Sequence, residues 1–143
     1  MEKRLEVHTQ VIVHATENLE KILAAFKENF DIDREDFSIQ NLTGHFENPI
    51  ILLQSKIKKK KARFFVKKLV TSIPKDEIST ILDDLGNRYD DSTLHLRIRK
   101  QSLVRGKIVF SDEGSIKVKI FTPIYKQEDI VKTFTELLTQ GTI

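Results

Sequence analysis

The sequence lacks cysteine and tryptophan, and its 143 residues include a single methionine. Without cysteine there is no disulfide framework, no thiolate nucleophile and no thiolate ligand set for zinc. No apolar run approaches the roughly 18 residues that a membrane-spanning helix needs, and an alternating strand pattern begins close to the first residue. At this length one core buries about two thirds of the unfolded surface. We therefore expect a soluble cytoplasmic protein without a membrane segment, folded as one domain over residues 1–143.

Signatures of catalysis are also absent. The sequence has no phosphate-cradling glycine-rich loop, no His-Glu-x-x-His helix and no marked nucleophile turn. His8 and His14 are separated by about 20 Å along one predicted strand, which is too far for them to share a metal. His45 follows Gly44 and precedes Glu47, so it is either a general base of a metal-dependent hydrolase or a turn residue that satisfies loop backbone groups. We predict no catalytic residue, no metal site and no cofactor.

An acidic connection follows the first predicted helix. Carboxylates at alternating positions can converge on calcium, but this connection lacks the glycine turn and the distal bidentate glutamate of an EF-hand. We expect a solvated acidic connection rather than a metal site. Its acidic residues are Asp31, Asp33, Glu35 and Asp36.

Positive charge is concentrated in residues 56–68. This segment holds eight of the 24 lysines and arginines and no acid, which leaves 16 basic residues against 21 acidic ones in the rest of the chain. Apolar residues recur in it at helical spacing, which predicts a buried stripe with Lys60, Arg63 and Lys67 on the opposite side. The stripe consists of Ala62, Phe65, Val66, Leu69 and Val70.

A helix face of a single charge repels itself, because like charges three or four residues apart destabilise a helix. A solubilising helix usually mixes both signs. An anionic partner such as phosphate would relieve the repulsion in residues 56–68. The alternative is a solvated helix face that has no partner.

Hydrophobic periodicity predicts the order β-α-β-β-α-β-β-α. Alternation over residues 4–14 indicates the first strand, and Thr16 is the expected N-cap of the helix that follows. Residues 37–46 and 49–57 are the next two strands, and residues 130–138 form the last helix. This order suits an α+β fold with a mostly antiparallel sheet and helices packed on one face.

The helical region after the basic segment contains two markers. Pro74 suits a first helical turn, so it either kinks one helix or separates two. Gly86 follows the last apolar residue of the stripe and is the expected C-terminal cap.

The two late strands each have an apolar face and a cationic face. If the cations point away from the helices, the sheet has an open basic face, which is a common way to hold single strands or loops of RNA. No aromatic residue occupies these outward positions, which favours backbone and shape contacts over base stacking. The alternatives are a solvated sheet surface and a dimer contact. The outward cations are Arg97, Arg99, Lys117 and Lys119.

Three segments together resemble a known family. They are residues 14–18 (His-Ala-Thr-Glu-Asn), 44–50 (Gly-His-Phe-Glu-Asn-Pro-Ile) and 96–101 (Leu-Arg-Ile-Arg-Lys-Gln), and Gly106 matches a family glycine. From about residue 5 to residue 122 the chain is similar to archaeal RNA-binding proteins described as predicted exosome subunits. Their fold is similar to that of the large-subunit ribosomal protein that binds 5S rRNA. The resemblance implies this ribosomal-protein-like fold, RNA as the ligand, and exosome or ribosome-associated proteins as partners.

The middle segment departs from the family pattern at one place. Gly44, His45 and Asn48 mark a candidate functional loop, but Phe46 and Glu47 stand where the family has a small or polar pair that includes glycine. We therefore expect this loop to be less tightly turned than in the family.

These observations predict an RNA-binding accessory protein, linked to exosome-type RNA processing, that contacts phosphates through a basic helix and a basic sheet edge. The alternative is a protein–protein scaffold or homodimeric subunit whose basic helix docks on an acidic partner. The predicted RNA-binding residues are Lys58, Lys59, Lys60, Lys61, Arg63, Lys67, Lys68, Arg97, Arg99, Lys100, Lys117 and Lys119.

Overall fold

A computed structural model describes residues 4–140, apart from the side chain of His45. The strands are β1 (Glu6–His14), β2 (Phe37–Thr43), β3 (Pro49–Lys58), β4 (Tyr89–Asp90), β5 (Thr93–Ile98) and β6 (Ile116–Phe121). The helices are α1 (Leu19–Phe30), α2 (Lys59–Ser72), α3 (Lys75–Asp83), α4 (Lys100–Val104) and α5 (Ile130–Thr139). Within residues 4–140, no helix is both long and apolar enough to cross a bilayer.

All six strands form one sheet in the order β2-β3-β1-β6-β5-β4, and every neighbouring pair is antiparallel. Alternate residues of β1, such as Val7 and Val11, are buried, whereas His8 and Gln10 are only half-buried. The helices therefore cover one face of the sheet and leave the other face open. This confirms the predicted α+β fold.

The predicted stripe of α2 forms the centre of the helix layer. Its five apolar residues are all buried, and Phe65 stacks on Phe30 of α1 with ring centroids 4.1 Å apart. Since α2 packs against β1 and β3 through this stripe, its exposed cations face away from the sheet. Phe134 of α5 is fully buried in the same core.

Pro74 separates two helices rather than kinking one. Ile73 has extended backbone angles, with φ −87° and ψ 127°, because a proline disfavours the helical conformation of the residue before it. The helix α2 therefore ends at Ser72, and α3 begins directly after Pro74.

Two expected helix caps were wrong. Asn18, not Thr16, caps α1, and its side-chain oxygen accepts a hydrogen bond from the backbone N–H of Lys21. Gly86 does not cap α3, since α3 ends at Asp83 and continues into a 3₁₀ turn over Leu85–Asn87. The buried side chain of Leu85 holds that turn against the core.

The sequence patterns did not reveal α4 and β4. The helix α4 has five residues and β4 has two, so neither is long enough to show a hydrophobic period. Gly106, which matches the family glycine, lies just beyond α4 with φ +85°, a left-handed conformation that favours glycine.

Candidate nucleic-acid interface

A row of four side chains crosses the open face. His8 of β1 lies directly opposite Lys56 of β3 on one side and Lys119 of β6 on the other, and Lys119 lies opposite His95 of β5. Because neighbouring strands are about 5 Å apart, the row spans about 15 Å. Lysine and histidine therefore alternate across the middle of the sheet.

A second row lies two residues further along the strands, about 7 Å from the first. Gln10 is opposite Gln54 and Lys117, and Lys117 is opposite Arg97. The amide nitrogen Nε2 of Gln54 donates to Oε1 of Gln10 at 3.2 Å. This row combines two cations with two amides, which can both donate and accept hydrogen bonds.

The two rows line connected depressions in the sheet surface. One of about 340 Å³ lies over β1, β3 and β6, and one of about 320 Å³ lies over β5 and β6. Both are lined by Lys117 and Lys119, so they form one trough across the sheet. We call these two rows and the trough they line the cationic trough. Its cations are Lys56, Arg97, Lys117 and Lys119.

The carboxylate of Glu6, at one end of the trough, is paired with His8 and Lys56. The ring nitrogen Nε2 of His8 donates to Oε1 of Glu6 at 2.7 Å, and Nζ of Lys56 is 3.4 Å from the same oxygen. The hydrogen bond from His8 holds the pKa of Glu6 below its ordinary value, although burial acts in the opposite direction. The Lys56 hydrogen bond and the positive charges of Lys56 and Lys58 add to that lowering.

His95 is held in its neutral form at the other end of the trough. Burial lowers its pKa, and the charge of Lys119 lowers it further, while Asp90 has a weaker opposite effect. His95 therefore adds no positive charge to the trough at neutral pH.

Arg88 lines the same depression as His95. Its guanidinium donates to both carboxylate oxygens of Asp112, at 2.7 and 3.2 Å, and lies 5.3 Å from the centroid of the Phe110 ring. Its Nε is buried without a hydrogen-bond partner. The hydrogen bond with Asp112 raises the pKa of Arg88, so this side chain stays charged but paired.

The structure buries Lys100 beneath the predicted surface, at a depression that Arg97 and Lys117 also line. Its side chain is buried, and Nζ donates to Oε1 of Glu17 at 2.8 Å and to the carbonyl oxygen of Ile12 at 2.9 Å. Gln101 donates to the other oxygen of Glu17 at 3.0 Å. Two of the family segments thus meet in a structural contact, because the chain brings α4 beside the turn between β1 and α1. Two of the three N–H donors of the Lys100 ammonium are therefore used within the protein.

The basic segment 56–68 is divided between two sides of the molecule. Lys56 and Lys58 lie on β3 and share the open face with Glu6. The exposed cations of α2 lie beyond the helix layer, on the side opposite to the open face. These are Lys59, Lys60, Lys61, Arg63, Lys67 and Lys68. Arg99 is exposed at the N-terminus of α4, outside the strand.

Lys61 is engaged by the acidic connection. Its Nζ lies 2.9 Å from Asp33 and 2.6 Å from Asp36, and Lys27 lies 2.7 Å from Asp33. The hydrogen bonds from Lys27 and Lys61 lower the pKa of Asp33 to about 2. In the part of the chain that the structure describes, no group of three or more potential ligands is arranged to hold a metal ion. The ion pairs of Lys61 hold the acidic connection against the N-terminal turn of α2.

The loop between β2 and β3 is closed by a backbone hydrogen bond. The N–H of Gly44 donates to the carbonyl oxygen of Asn48 at 2.7 Å. Phe46 and Glu47 have φ values of 55° and 60°, in the left-handed region that favours glycine. The loop therefore holds two non-glycine residues in strained conformations. The side chain of His45, the predicted member of this loop, lies outside the described part of the structure.

Sequence reasoning missed several residues of the open face. His8, His95, Gln10 and Gln54 all lie in the trough, and alternation alone was a sufficient signal for them. Phe121, the last residue of β6, was also missed; it continues the outward register of Lys119, and its ring centroid is 4.6 Å from that of His8. The open face therefore does contain an aromatic ring.

A family model described as RNA binding matches residues 6–122 of the chain. The chain belongs to this RNA-binding family. An uncharacterised protein of Methanocaldococcus jannaschii is 30% identical over an alignment of 135 positions, and the alignment covers 87% of this chain and 91% of that protein. An RNA-binding protein of Pyrococcus abyssi is 28% identical over 150 positions, covering 96% of this chain and 97% of that protein.

A solved structure of an Archaeoglobus fulgidus protein has the same fold. It superposes with a TM-score of 0.78 at 28% identity and covers 94% of this chain and 99% of that chain. A protein of Methanothermobacter thermautotrophicus, 24% identical, superposes with a TM-score of 0.76 over 96% of this chain and 99% of its own. Membership of the archaeal RNA-binding family is thereby confirmed, whereas the exosome and ribosomal-protein parts of the resemblance stay predictions.

Proposed function

We propose that this protein binds RNA and that the cationic trough on its open sheet face is the binding surface. The observation that carries this proposal is the register, which gathers Lys56, Arg97, Lys117 and Lys119 on a face that no described element covers. Membership of an RNA-binding family supports RNA as the ligand, and so does the P. abyssi relative, which is named as an RNA-binding protein.

The trough suits RNA better than the outer face of α2 does. The trough is concave and adds the amides of Gln10 and Gln54 to its cations, so it can hold phosphate oxygens and hydrogen-bond to sugars or bases. The face of α2 lies beyond the helix layer, and its nearest link to the trough is Lys61, which pairs with Asp36 at the edge of the larger depression. Lys61, one of the cations on that face, is already paired with Asp33 and Asp36.

Two matched triple variants test the surface. One replaces Arg97, Lys117 and Lys119 with alanine, and the other replaces Lys60, Arg63 and Lys67. Each removes one arginine and two lysines, so the two proteins have the same net charge. RNA affinity is measured by fluorescence anisotropy at several salt concentrations.

We expect only the trough variant to change the salt dependence. Each lost phosphate contact lowers the slope of log K against log salt by about 0.7 to 0.9, so three lost contacts lower it by about two to three. The reverse pattern would place RNA on α2. Unchanged slopes in both variants would contradict the proposal.

A second candidate function, a protein scaffold, is favoured by one feature of α2. Phe64 is 49% exposed between the lysines and borders a depression of about 320 Å³ with Lys60, Lys61 and Asp31. An apolar ring inside a basic surface is a combination that an acidic protein partner can match. If this surface docks a partner, Phe64→Ala weakens co-purification of that partner, and the trough variant does not.

We extend the proposal to a role beside exosome-type RNA processing, which rests on the sequence resemblance. We also propose binding without catalysis, because four cations and two amides of the trough position an anion, whereas its two histidines, His8 and His95, are separated by Lys119. A labelled RNA incubated with the protein should be recovered at full length. Cleavage that a chelator abolishes would instead support the hydrolase alternative that uses His45 with Glu47.

A further inference from the structure

The open face has an apolar end next to the cationic trough. Ile12 of β1 lies opposite Leu52 of β3, and Leu42 of β2 lies opposite Ile50 of β3. Ile12 is 37% exposed and Leu42 is 40% exposed. We call these four residues the apolar end. Aliphatic side chains on the solvent side of a sheet mark an interaction surface when they cluster.

The apolar end continues the trough without a break. Ile12 follows Gln10 by two residues in β1, and Leu52 precedes Gln54 by two residues in β3, so each step is about 7 Å on the same face. A depression of about 250 Å³ spans the junction. It is lined by Ile12 on one side and by Arg97 and Lys117 on the other.

We infer that the RNA held on this face is single-stranded, with its phosphates on the cationic trough and its unpaired bases over the apolar end. This inference rests on the proposed function and adds the class of RNA. A duplex presents phosphates and 2′-hydroxyls and hides the flat faces of its bases, so it gains little from four aliphatic side chains. Unpaired bases expose those faces and can be covered by apolar side chains.

The hairpin loop adds an aromatic ring at the border of the apolar end. Phe46 is 92% exposed and has a left-handed backbone, in the loop that directly joins Leu42 of β2 to Ile50 of β3. A large apolar side chain kept in a strained and exposed position is typical of a binding element. Phe121 supplies a second ring, next to His8 at the opposite end of the trough.

The test compares an unstructured single-stranded RNA with a blunt duplex of the same sequence, by anisotropy across a salt series. The variants are Ile12→Ser with Leu42→Ser, and separately Phe46→Ala. The matched controls are Val131→Ser, which is 53% exposed on α5, and Phe64→Ala on α2. Thermal melting checks that each variant is folded, and Phe46→Tyr, which keeps a ring, is expected to retain binding.

We expect the wild-type protein to bind the single strand at least tenfold more tightly than the duplex. The Ile12/Leu42 double variant and Phe46→Ala should each weaken single-strand binding about five- to tenfold. The slope of log K against log salt and the affinity for duplex should stay unchanged, because the bases lose a contact and the phosphates do not. The control variants should bind like the wild type.

Three outcomes would overturn the inference. Equal affinity for duplex and single strand is the first. The second is wild-type affinity in the folded Ile12, Leu42 and Phe46 variants, with salt-dependent RNA binding intact; the proposed function would then stand without this refinement. The third is a wild-type dimer that the double variant converts to a monomer at unchanged RNA affinity, which would make the apolar end a contact between two copies. Absence of any RNA binding at low salt would instead remove the proposed function itself.

Discussion

The ammonium of Lys100 donates to the carboxylate of Glu17 at 2.8 Å and to the carbonyl oxygen of Ile12 at 2.9 Å. The two side chains are 83 positions apart in sequence, and both are largely buried. This contact ties α4 to the end of β1, which carries Ile12 on the open face. Lys100, which sequence reasoning placed on the RNA, is therefore engaged in a structural contact, whereas Arg97 of the same motif lies in the trough.

Lys100→Met should destabilise the fold by about 3 kcal/mol, because removal of one partner leaves the Glu17 carboxylate buried without its counter-charge. Urea denaturation at pH 7 measures this change. Lys107→Met, at an exposed position nearby, should change stability by less than about 0.5 kcal/mol. A Lys100 variant of unchanged stability that loses RNA affinity would return Lys100 to the binding surface.

The same contact predicts a dependence of stability on acid. Burial raises the pKa of Glu17, but the hydrogen bonds from Lys100 and the N–H of His14 outweigh this and hold it below its ordinary value. A lowered pKa in the folded state means that the ionised carboxylate adds stability above its unfolded pKa of about 4.5, and that this stability is lost as pH falls further. Between pH 6 and pH 3, Glu17→Gln should therefore lose less stability than the wild type. An equal loss of unfolding free energy in the two proteins over this pH range, measured by urea denaturation, would contradict this role.

RNA affinity should rise on acidification through His95. Burial and Lys119 lower its pKa, so it is neutral at pH 7 and gains a proton only in more acidic solution. Arg88 and Asp112 line the same depression and Asp90 faces the ring, but the first two are paired and stay charged in this range. Anisotropy at pH 7.5 and pH 5.5 should show tighter binding at the lower pH, and His95→Gln should reduce the difference. A pH effect of the same size in His95→Gln would contradict the role of His95.

Gly114 should not tolerate alanine. A Cβ there would lie 2.3 Å from the carbonyl oxygen of Ile98, so the backbone must shift. The Gly114 carbonyl also accepts a hydrogen bond from Nη1 of Arg97 at 3.3 Å, so the shift would move a trough cation. We expect Gly114→Ala to destabilise by about 1–3 kcal/mol. At Gly86 a Cβ meets no atom within 4 Å, and Gly86→Ala should be neutral or slightly stabilising. Equal melting temperatures for the two variants would contradict this close approach.

Two substitutions in the loop between β2 and β3 should affect stability and RNA binding differently. Glu47 has φ 60°, so Glu47→Gly should stabilise the fold by up to about 1 kcal/mol and leave RNA affinity intact. Phe46→Gly should relieve similar strain but lose single-strand affinity, since it removes the ring. Denaturation and anisotropy on the two variants measure both quantities. Loss of binding in Glu47→Gly would show that the loop conformation, rather than the ring, is what RNA requires.

Periodic patterns predicted the elements of the fold because burial repeats along each one. The stripe from Ala62 to Val70 and the alternation of β1 and β6 were visible in the sequence and are present in the structure. The break at Pro74 was left open because a proline permits both a kink and a second helix. The short α4 and β4 were not predictable from a period.

The candidate site was harder to predict because it depends on contacts between distant segments. The burial of Lys100 needs Glu17, and the pairing of Lys61 needs Asp33 and Asp36 from another loop. Charge density alone suggested that α2 and the late strands share one binding surface. In the structure, the cations of the late strands lie on the open face of the sheet, and α2 packs on the other face. Ile12 carried a usable signal, since it interrupts the polar face of β1.

The most direct test of the central claim is a backbone amide NMR titration with the unstructured single-stranded RNA. We expect the largest chemical-shift changes on the open face, around His8, Gln10, Gln54, Lys117 and Lys119, and continuing to Ile12. Amides of α2 around Lys60, Arg63 and Lys67 should change little. Chemical-shift changes concentrated on α2, with little change in the sheet, would contradict RNA binding on the open face.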